Sequence, residues 1–153
     1  SDISAIKAFM FEEKIKSLLE TVAADPEDYR TWNQLGIVYG RFMMIPEAEN
    51  CLMKSIGIKP SYYPALCNMG NVCMLQKKFA QAAEYYEKAL IEKPGDVNIL
   101  INHARALYEL KKYEKAREEY GKAVSADPVL AARYGYLAYG KDSAGASGRA
   151  AFI

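Results

Sequence analysis

A pattern of small, aromatic and aliphatic residues recurs in this chain with a period of 34 residues. The middle copy runs through Leu66, Met69, Gly70, Cys73, Ala82, Tyr86, Ala89 and Pro94. The copy before it runs through Trp32, Leu35, Gly36, Tyr39, Ala48, Leu52, Ser55 and Pro60, and the copy after it through Leu100, His103, Ala104, Leu107, Ala116, Tyr120, Ala123 and Pro128. Such a period is typical of repeat proteins, in which each unit packs only against its neighbours. The sequence therefore predicts a stack of units.

Within each copy, apolar residues at helical spacing predict two helices. The expected helices span residues 28–41, 46–58, 62–76, 80–92, 96–110 and 114–126. A leading helix over residues 3–24 belongs to an N-terminal cap, 1–26. Residues 27–130 then hold three repeats, at 29–62, 63–96 and 97–130, followed by a capping helix over 131–141 and a small-residue tail over 142–153. The fold class is all-α.

Composition excludes several classes of partner. The formal charge of +1 provides no field that would attract nucleic acid or an anionic membrane, so neither is expected. No apolar run approaches the length of a membrane span. The three cysteines, Cys51, Cys67 and Cys73, lack zinc-site spacing and favour a reducing compartment, so a cytoplasmic location is expected. Because the chain begins with Ser1, we expect a fragment or a processed form.

The recurring residues resemble the tetratricopeptide repeat family, whose pattern runs Trp, Leu-Gly, Tyr, Ala, Phe or Tyr, Ala and Pro. The resemblance covers about residues 29–130. The second repeat departs from it at Leu66 and Cys73, and the third at His103. The resemblance implies a right-handed α-solenoid whose concave groove binds a peptide or a helix of a partner protein. It further implies a non-catalytic interaction module without a cofactor.

A polar column follows the same period. Gln34, Asn68 and Asn102 lie on the first helix of each repeat, turned about 100–200° from the core stripe. Asn71 and Arg105, each three residues further on, extend that face. Carboxamides offer a donor and an acceptor together, as the backbone of an extended peptide requires. The column is therefore predicted to line the groove, the alternative being that these are ordinary solvated residues.

Apolar side chains would add pockets to this groove. The candidates are Ile37, Cys67, Met74, Ile101 and Tyr108. The family's carboxylate clamp, which holds acidic chaperone tails, would use the positions of Asn33, Ile37, Asn68, Asn98 and Asn102. Only Asn68 fits that clamp, and every required positive charge is missing, so binding of chaperone tails is not expected. Asn33 and Asn98 remain candidates for contacts in the groove.

The remaining polar residues do not predict a metal site, a phosphate-binding loop or a catalytic site. His103 replaces Leu35 of the first repeat and is expected to be a hydrogen-bonded core histidine and not a metal ligand. Glu84, Glu87, Glu118 and Glu119, on second helices, are expected to be solvated. A phosphate-loop skeleton ends at Gly140 and Lys141 but continues with Asp142 and follows no strand. No catalytic constellation and no metal site can be assembled.

A second hypothesis is self-assembly through the end of the chain. The aromatic residues available there are Tyr134, Tyr136, Tyr139 and Phe152. Lys141 would place a charge in a core column, which is costly to bury, and so end the stack. Phe152 and Ile153 could then hold the tail in a groove of the same or a neighbouring molecule.

Overall fold

The computed structural model describes residues 2–140, and all regular structure in that range is helical. The helices are α1 (Asp2–Ala24), α2 (Tyr29–Arg41), α3 (Ile45–Ile58), α4 (Tyr63–Leu75), α5 (Phe79–Glu92), α6 (Val97–Glu109), α7 (Tyr113–Ala126) and α8 (Pro128–Ala131), followed by a 3-10 helix over Ala132–Ala138. The bounds of α1 to α7 differ from the predicted ones by at most one residue at each end.

Aspartate side chains begin three of the helices. Asp28, Asp96 and Asp127 each accept a hydrogen bond from the backbone N–H three residues later, over 3.1, 3.1 and 2.9 Å. This satisfies one of the N–H groups that a helix leaves without an intrahelical partner. The same contact lowers the pKa of Asp28, whose carboxylate accepts hydrogen bonds from the side chain and backbone of Thr31.

The first helix of each repeat ends in the same kind of turn. Met43, Lys77 and Lys111, 34 residues apart, have φ values of 58°, 58° and 62° in the left-handed region. In each turn the next residue donates its N–H to the carbonyl five residues earlier, over 2.9 Å. This is a Schellman arrangement, which usually places glycine at the left-handed position. The three turns therefore share one backbone geometry.

The chain divides into two compact units, with the boundary between Val72 and Cys73 inside α4. In unit 1, which ends at Val72, Leu18 and Val22 of α1 pack with Leu35 of α2 and Cys51 of α3. A Cβ on Gly36 would lie 2.5 Å from the Cγ of Leu52. The missing side chain therefore lets α2 approach α3 closely.

Unit 2, which starts at Cys73, has a core built from α6, α7, α8 and the 3-10 helix. Its buried residues are Leu100, Ile101, Ala104, Tyr120, Ala123, Ala131 and Leu137. The hydroxyl of Tyr120 donates to the carbonyl of Ala131 over 2.9 Å.

The end of unit 2 differs from the single capping helix predicted over 131–141. The chain forms a four-residue α-helix and then a 3-10 helix with non-helical dihedral angles at Tyr134. Gly135, a poor helix former, follows directly and disfavours a continuous α-helix. Lys141, Asp142, Phe152, Ile153 and the rest of the tail 142–153 lie outside the described residues.

Candidate functional site

In unit 1, three asparagines form a connected group of side-chain amides. Asn68 Nδ2 donates to Asn33 Oδ1 over 2.9 Å, and Asn71 Nδ2 donates to Asn68 Oδ1 over 3.5 Å. Asn33, on α2, is 5% exposed, whereas Asn68 and Asn71, on α4, are half-buried. Because Asn68 donates to one neighbour and accepts from the other, its amide plane is held in one orientation. An amide has further donor and acceptor positions beyond these two.

The structure does not bring Gln34 into this group. Gln34 is exposed, and Asn33 is the residue of α2 that contacts Asn68, although the 34-residue period aligns Gln34 with it. Successive residues on a helix are turned by about 100° from each other, so these two side chains leave α2 on different faces. Ile37, one turn after Asn33, is half-buried.

Unit 2 carries a second polar group on α6. Arg105 Nη1 donates to Asn102 Oδ1 over 3.4 Å, and both side chains are half-buried. The guanidinium carbon of Arg105 lies 5.8 Å from the ring centroid of Tyr134, within the range of a cation–π contact. Burial raises the pKa of Tyr136, although the neighbouring Arg105 acts in the opposite direction. The Tyr136 hydroxyl therefore stays protonated at neutral pH.

Aromatic rings surround the other candidate positions of unit 2. Tyr108 makes edge-to-face contacts with Tyr113 and Tyr136 at centroid distances of 5.1 and 5.2 Å. Tyr134 and Tyr136 are half-buried against the core of their own unit, whereas Tyr139 is 60% exposed. Of the end-helix tyrosines suggested for self-assembly, Tyr139 is thus the exposed one.

Three further groove candidates of unit 2 have different environments. Met74 is half-buried and Asn98 is exposed. Ile101 is only 2% exposed and belongs to the core, so its expected groove-facing position is wrong. The reason is that Ile101 belongs to one buried cluster with Tyr120 and Ala123 of α7 and with Leu137 of the C-terminal segment.

His103 is a buried, hydrogen-bonded core residue, as predicted. The residue is 7% exposed, and its Nδ1 lies 2.9 Å from Glu119 Oε2. The expectation that Glu119 is solvated is wrong, because this residue is 8% exposed and also accepts a hydrogen bond from Lys122 Nζ. Burial alone would raise the pKa of Glu119, but its hydrogen bonds to His103 and Lys122 outweigh this effect and lower it. Glu119 is therefore ionised at neutral pH.

The other ring nitrogen of His103 faces Glu87. Its Nε2 lies 3.4 Å from Glu87 Oε1, and among the described residues this buried atom has no hydrogen-bond partner of good geometry. A signal for the buried pair was present in the sequence. His103 and Glu119 occupy the repeat positions of Leu35 and Cys51, which contribute to the apolar core of unit 1. Because both of these repeat positions are buried in unit 1, polar residues at both of them in unit 2 indicate that the two side chains bind each other.

Residues 2–140 contain no cluster of three or more His, Cys, Asp or Glu side chains placed to hold a metal ion. Over the same range, none of the helices combines the length and the apolar character that crossing a bilayer requires. Burial raises the pKa of the Cys51 thiol in the core of unit 1, which keeps it protonated at neutral pH.

A family model described as tetratricopeptide repeat matches residues 74–138. Residues 74–138 therefore have tetratricopeptide-repeat sequence. This match lies in the second half of the chain, whereas the repeats inferred from the sequence begin at residue 29.

Solved structures show the same fold. A crystal structure of MamA is 20% identical with a TM-score of 0.77, over 89% of this chain and 81% of MamA. MamA from Desulfovibrio magneticus RS-1 is 21% identical with a TM-score of 0.76, over 88% of this chain and 77% of that one. PilF from Pseudomonas aeruginosa is 25% identical with a TM-score of 0.71, over 80% of this chain and 58% of PilF. A search of curated proteins gives no match.

These findings confirm the predicted all-α solenoid of tetratricopeptide repeats. At 20 and 21% identity, the likeness to MamA concerns the fold alone. Tetratricopeptide repeats build protein–protein interaction modules, and this chain has that fold.

Proposed function

We propose that this tetratricopeptide-repeat protein is a non-catalytic module that captures an extended peptide, or a helix, of a partner protein. The partner binds along the first helices of the repeats, the face that lines the concave groove in this family. Asn68 and Asn71 act in unit 1, and Asn102 and Arg105 act in unit 2. The three cysteines favour a reducing compartment, so we place this interaction in the cytoplasm.

The observation that carries the proposal is the amide group of unit 1. Asn68 is held between Asn33 and Asn71, at 2.9 and 3.5 Å, so its orientation is set before any partner arrives. A side chain that is already ordered loses less conformational entropy on binding than a freely rotating one. Asn68 therefore suits recognition of a peptide group, which presents an N–H and a C=O in fixed geometry.

Hydrogen bonds alone give a limited affinity. Each contributes about 0.5–1.5 kcal/mol net, so three to six of them supply a few kcal/mol, whereas micromolar binding requires about 8 kcal/mol. Contacts with apolar side chains must supply the remainder. Ile37 in unit 1 and Met74 and Tyr108 in unit 2 are half-buried and offer such surface. Gln34, Asn33 and Asn98 complete the proposed set of groove residues.

The test uses peptides selected from a random display library against the full chain. Their affinities are measured for the wild type and for an Asn68→Ala, Asn102→Ala double variant. We expect the double variant to weaken binding about 10- to 100-fold, because each lost amide also leaves a peptide group without its partner. Asn50→Ala, an exposed position on α3, is the matched control and should leave the affinity unchanged.

Two results would contradict the proposal. One is equal affinity of wild type and double variant for every selected peptide. The other is an equal loss of affinity in the Asn50→Ala control. Thermal unfolding of all variants establishes that they are folded, so that a loss of binding is not a loss of structure.

A further inference from the structure

Pairs of lysines occupy the same turn in two successive repeats. Lys77 and Lys78 join α4 to α5, and Lys111 and Lys112 join α6 to α7, 34 residues later. All four side chains are exposed. At the corresponding turn of unit 1 the chain has Met43 and Met44, so the lysines are not a requirement of the turn itself.

A shallow groove of about 430 Å³ lies between these two turns of unit 2. It is lined by Lys77, Lys78, Phe79, Ala80, Gln81 and Leu110. Leu110 directly precedes Lys111, so the groove brings both lysine pairs to one edge of the unit. Phe79 and Leu110 are half-buried and provide apolar surface, Lys77 and Lys78 are exposed members of the lining, and the exposed Lys111 and Lys112 follow Leu110 directly in the chain.

The edge carries a local excess of positive charge. Residues 76–81 and 110–115 together contain five lysines and a single acidic residue, Glu114, whereas the whole chain has a net charge of only +1. The backbone that carries the lysines is fixed by the Schellman hydrogen bonds, which place Lys77 and Lys111 at the left-handed position of their turns. The turns thus fix the backbone positions from which the flexible lysine side chains extend toward a negatively charged ligand.

We propose that this lysine-rimmed groove is a second interaction surface, which binds a short acidic peptide segment of a partner protein. Acidic side chains of the peptide pair with Lys77, Lys78, Lys111 and Lys112. An apolar side chain of the peptide packs against Phe79 and Leu110. The surface is formed by turns and not by the asparagine-bearing faces of the first helices, so it is separate from the site of the proposed function.

The apolar floor favours a peptide over a nucleic acid as the occupant. A nucleic-acid strand gains affinity from many phosphate contacts and from bases stacked on exposed aromatic rings. Here the positive rim is confined to two short turns, and the aromatic ring of the groove, Phe79, is half-buried. Exposed ion pairs contribute little individually, so the affinity should be weak, with a Kd of the order of 0.1 mM, and sensitive to salt.

The test measures fluorescence polarisation of a labelled peptide composed of glutamates around one leucine, with the full chain. The comparison peptide replaces every glutamate by glutamine. We expect the glutamate peptide alone to bind and to lose about tenfold in affinity when the ionic strength rises from about 0.05 to about 0.5 M. A Lys77→Glu, Lys111→Glu variant should lose at least about tenfold.

The matched control is a Lys14→Glu, Lys16→Glu variant, which makes the same change of net charge on exposed residues of α1 in unit 1. It should retain the wild-type affinity within about twofold. The Asn68→Ala, Asn102→Ala variant should also bind the glutamate peptide normally, which separates this surface from the proposed groove.

Any of the following three outcomes would overturn the proposal. An equal loss in the Lys14→Glu, Lys16→Glu control would show a general charge effect. Equal binding of the glutamine peptide would exclude recognition of acidic side chains. A single-stranded oligonucleotide or an anionic lipid vesicle that binds more tightly, and is lost in the Lys77→Glu, Lys111→Glu variant, would assign the surface to a different partner. Circular dichroism and thermal unfolding check that all variants are folded.

Discussion

The two units follow the same repeat plan but fill one pair of core positions with opposite chemistry. In unit 1, Leu35 and Cys51 contribute to an apolar core. In unit 2, the same repeat positions hold His103 and Glu119, which are also buried and are joined over 2.9 Å. The helix pair therefore accepts either solution, and in the polar one Glu119 satisfies the Nδ1 of His103. The two units should differ in the free energy of unfolding that is lost when one member of the pair is removed.

The turns after the first helices give a second comparison. Met43 in unit 1 and Lys77 and Lys111 in unit 2 have the same left-handed backbone, although their side chains differ completely. Side chains at this position point away from the core, so packing does not select them. The difference between Met43 and the two lysines therefore changes the exposed surface of each unit and leaves its core unchanged.

The largest expected effect comes from breaking the polar pair of unit 2. Glu119→Ala leaves the buried imidazole of His103 without its acceptor and should lower the free energy of unfolding by about 3 kcal/mol. The double variant His103→Leu, Glu119→Cys, which copies the pair of unit 1, should recover most of this loss. Urea unfolding followed by circular dichroism measures both effects. Stability losses that simply add in the double variant would show that the two side chains are not coupled.

The next effect is specific to unit 1. Gly36→Ala would place a Cβ 2.5 Å from Leu52 Cγ, and Leu52 is itself fully buried, so the variant should lose about 2 kcal/mol. Ala104 already has a Cβ at the equivalent position of unit 2. Gly57→Ala on α3, with no atom within 4 Å of its Cβ, is the matched control and should gain about 0.5–1 kcal/mol. A gain in Gly36→Ala would contradict the close approach of α2 and α3.

A smaller effect should be equal in the two units. Met43→Gly and Lys111→Gly each remove a side chain from a left-handed backbone position and should raise stability by about 1 kcal/mol. Lys112→Gly, one residue later at a φ of −88°, serves as the control and should give no gain. Thermal unfolding compares the three variants. A gain in one unit only would mean that the two turns are not equivalent.

The smallest expected effect is the pH dependence that the pair of His103 and Glu119 adds to the stability of the chain. The pKa of Glu119 is lowered by its hydrogen bonds to His103 and Lys122, against the opposing effect of burial, relative to an ordinary value of 4.5. The stabilisation is therefore present above pH 4.5 and is lost as the pH falls through the lower pKa of the folded state. Urea unfolding from neutral pH downward should show this loss in the wild type.

The double variant His103→Leu, Glu119→Cys controls for the other carboxylates, because it lacks the ionisable pair but keeps the rest of the chain. Its stability should fall less steeply with decreasing pH than that of the wild type. Parallel curves for the two proteins would contradict the assignment of the lowered pKa to Glu119.

Much of the fold could be predicted because it depends on local patterns. The 34-residue period and the helical spacing of apolar residues gave the bounds of α1 to α7 to within one residue, since each helix buries a stripe that the sequence displays directly. The end of the chain could not be predicted in this way. From Ala132 onward small residues and tyrosines fit several conformations, and packing on Leu100 and Tyr120 selects the 3-10 helix.

For the candidate site, the sequence predicted which face of the first helices carries the polar residues, but not the contacts among them. Asn68, Asn71, Asn102 and Arg105 were named from periodicity, but which of them touch each other depends on the rotation of one helix against the next. That rotation brings Asn33 to Asn68 and leaves Gln34 exposed. Ile101 and Glu119 were misplaced for the same reason, since a helical period does not distinguish the inner face from the face toward the next helix.

A period of helix pairs with small residues at the contacts admits few folds other than a helical repeat, so the printed sequence was enough to predict tetratricopeptide repeats. It was not enough to predict which polar residues pair and which face solvent. Hydrogen bonds such as those of Asn33 with Asn68 and His103 with Glu119 join residues 35 and 16 positions apart, and their geometry exists only once the helices have packed.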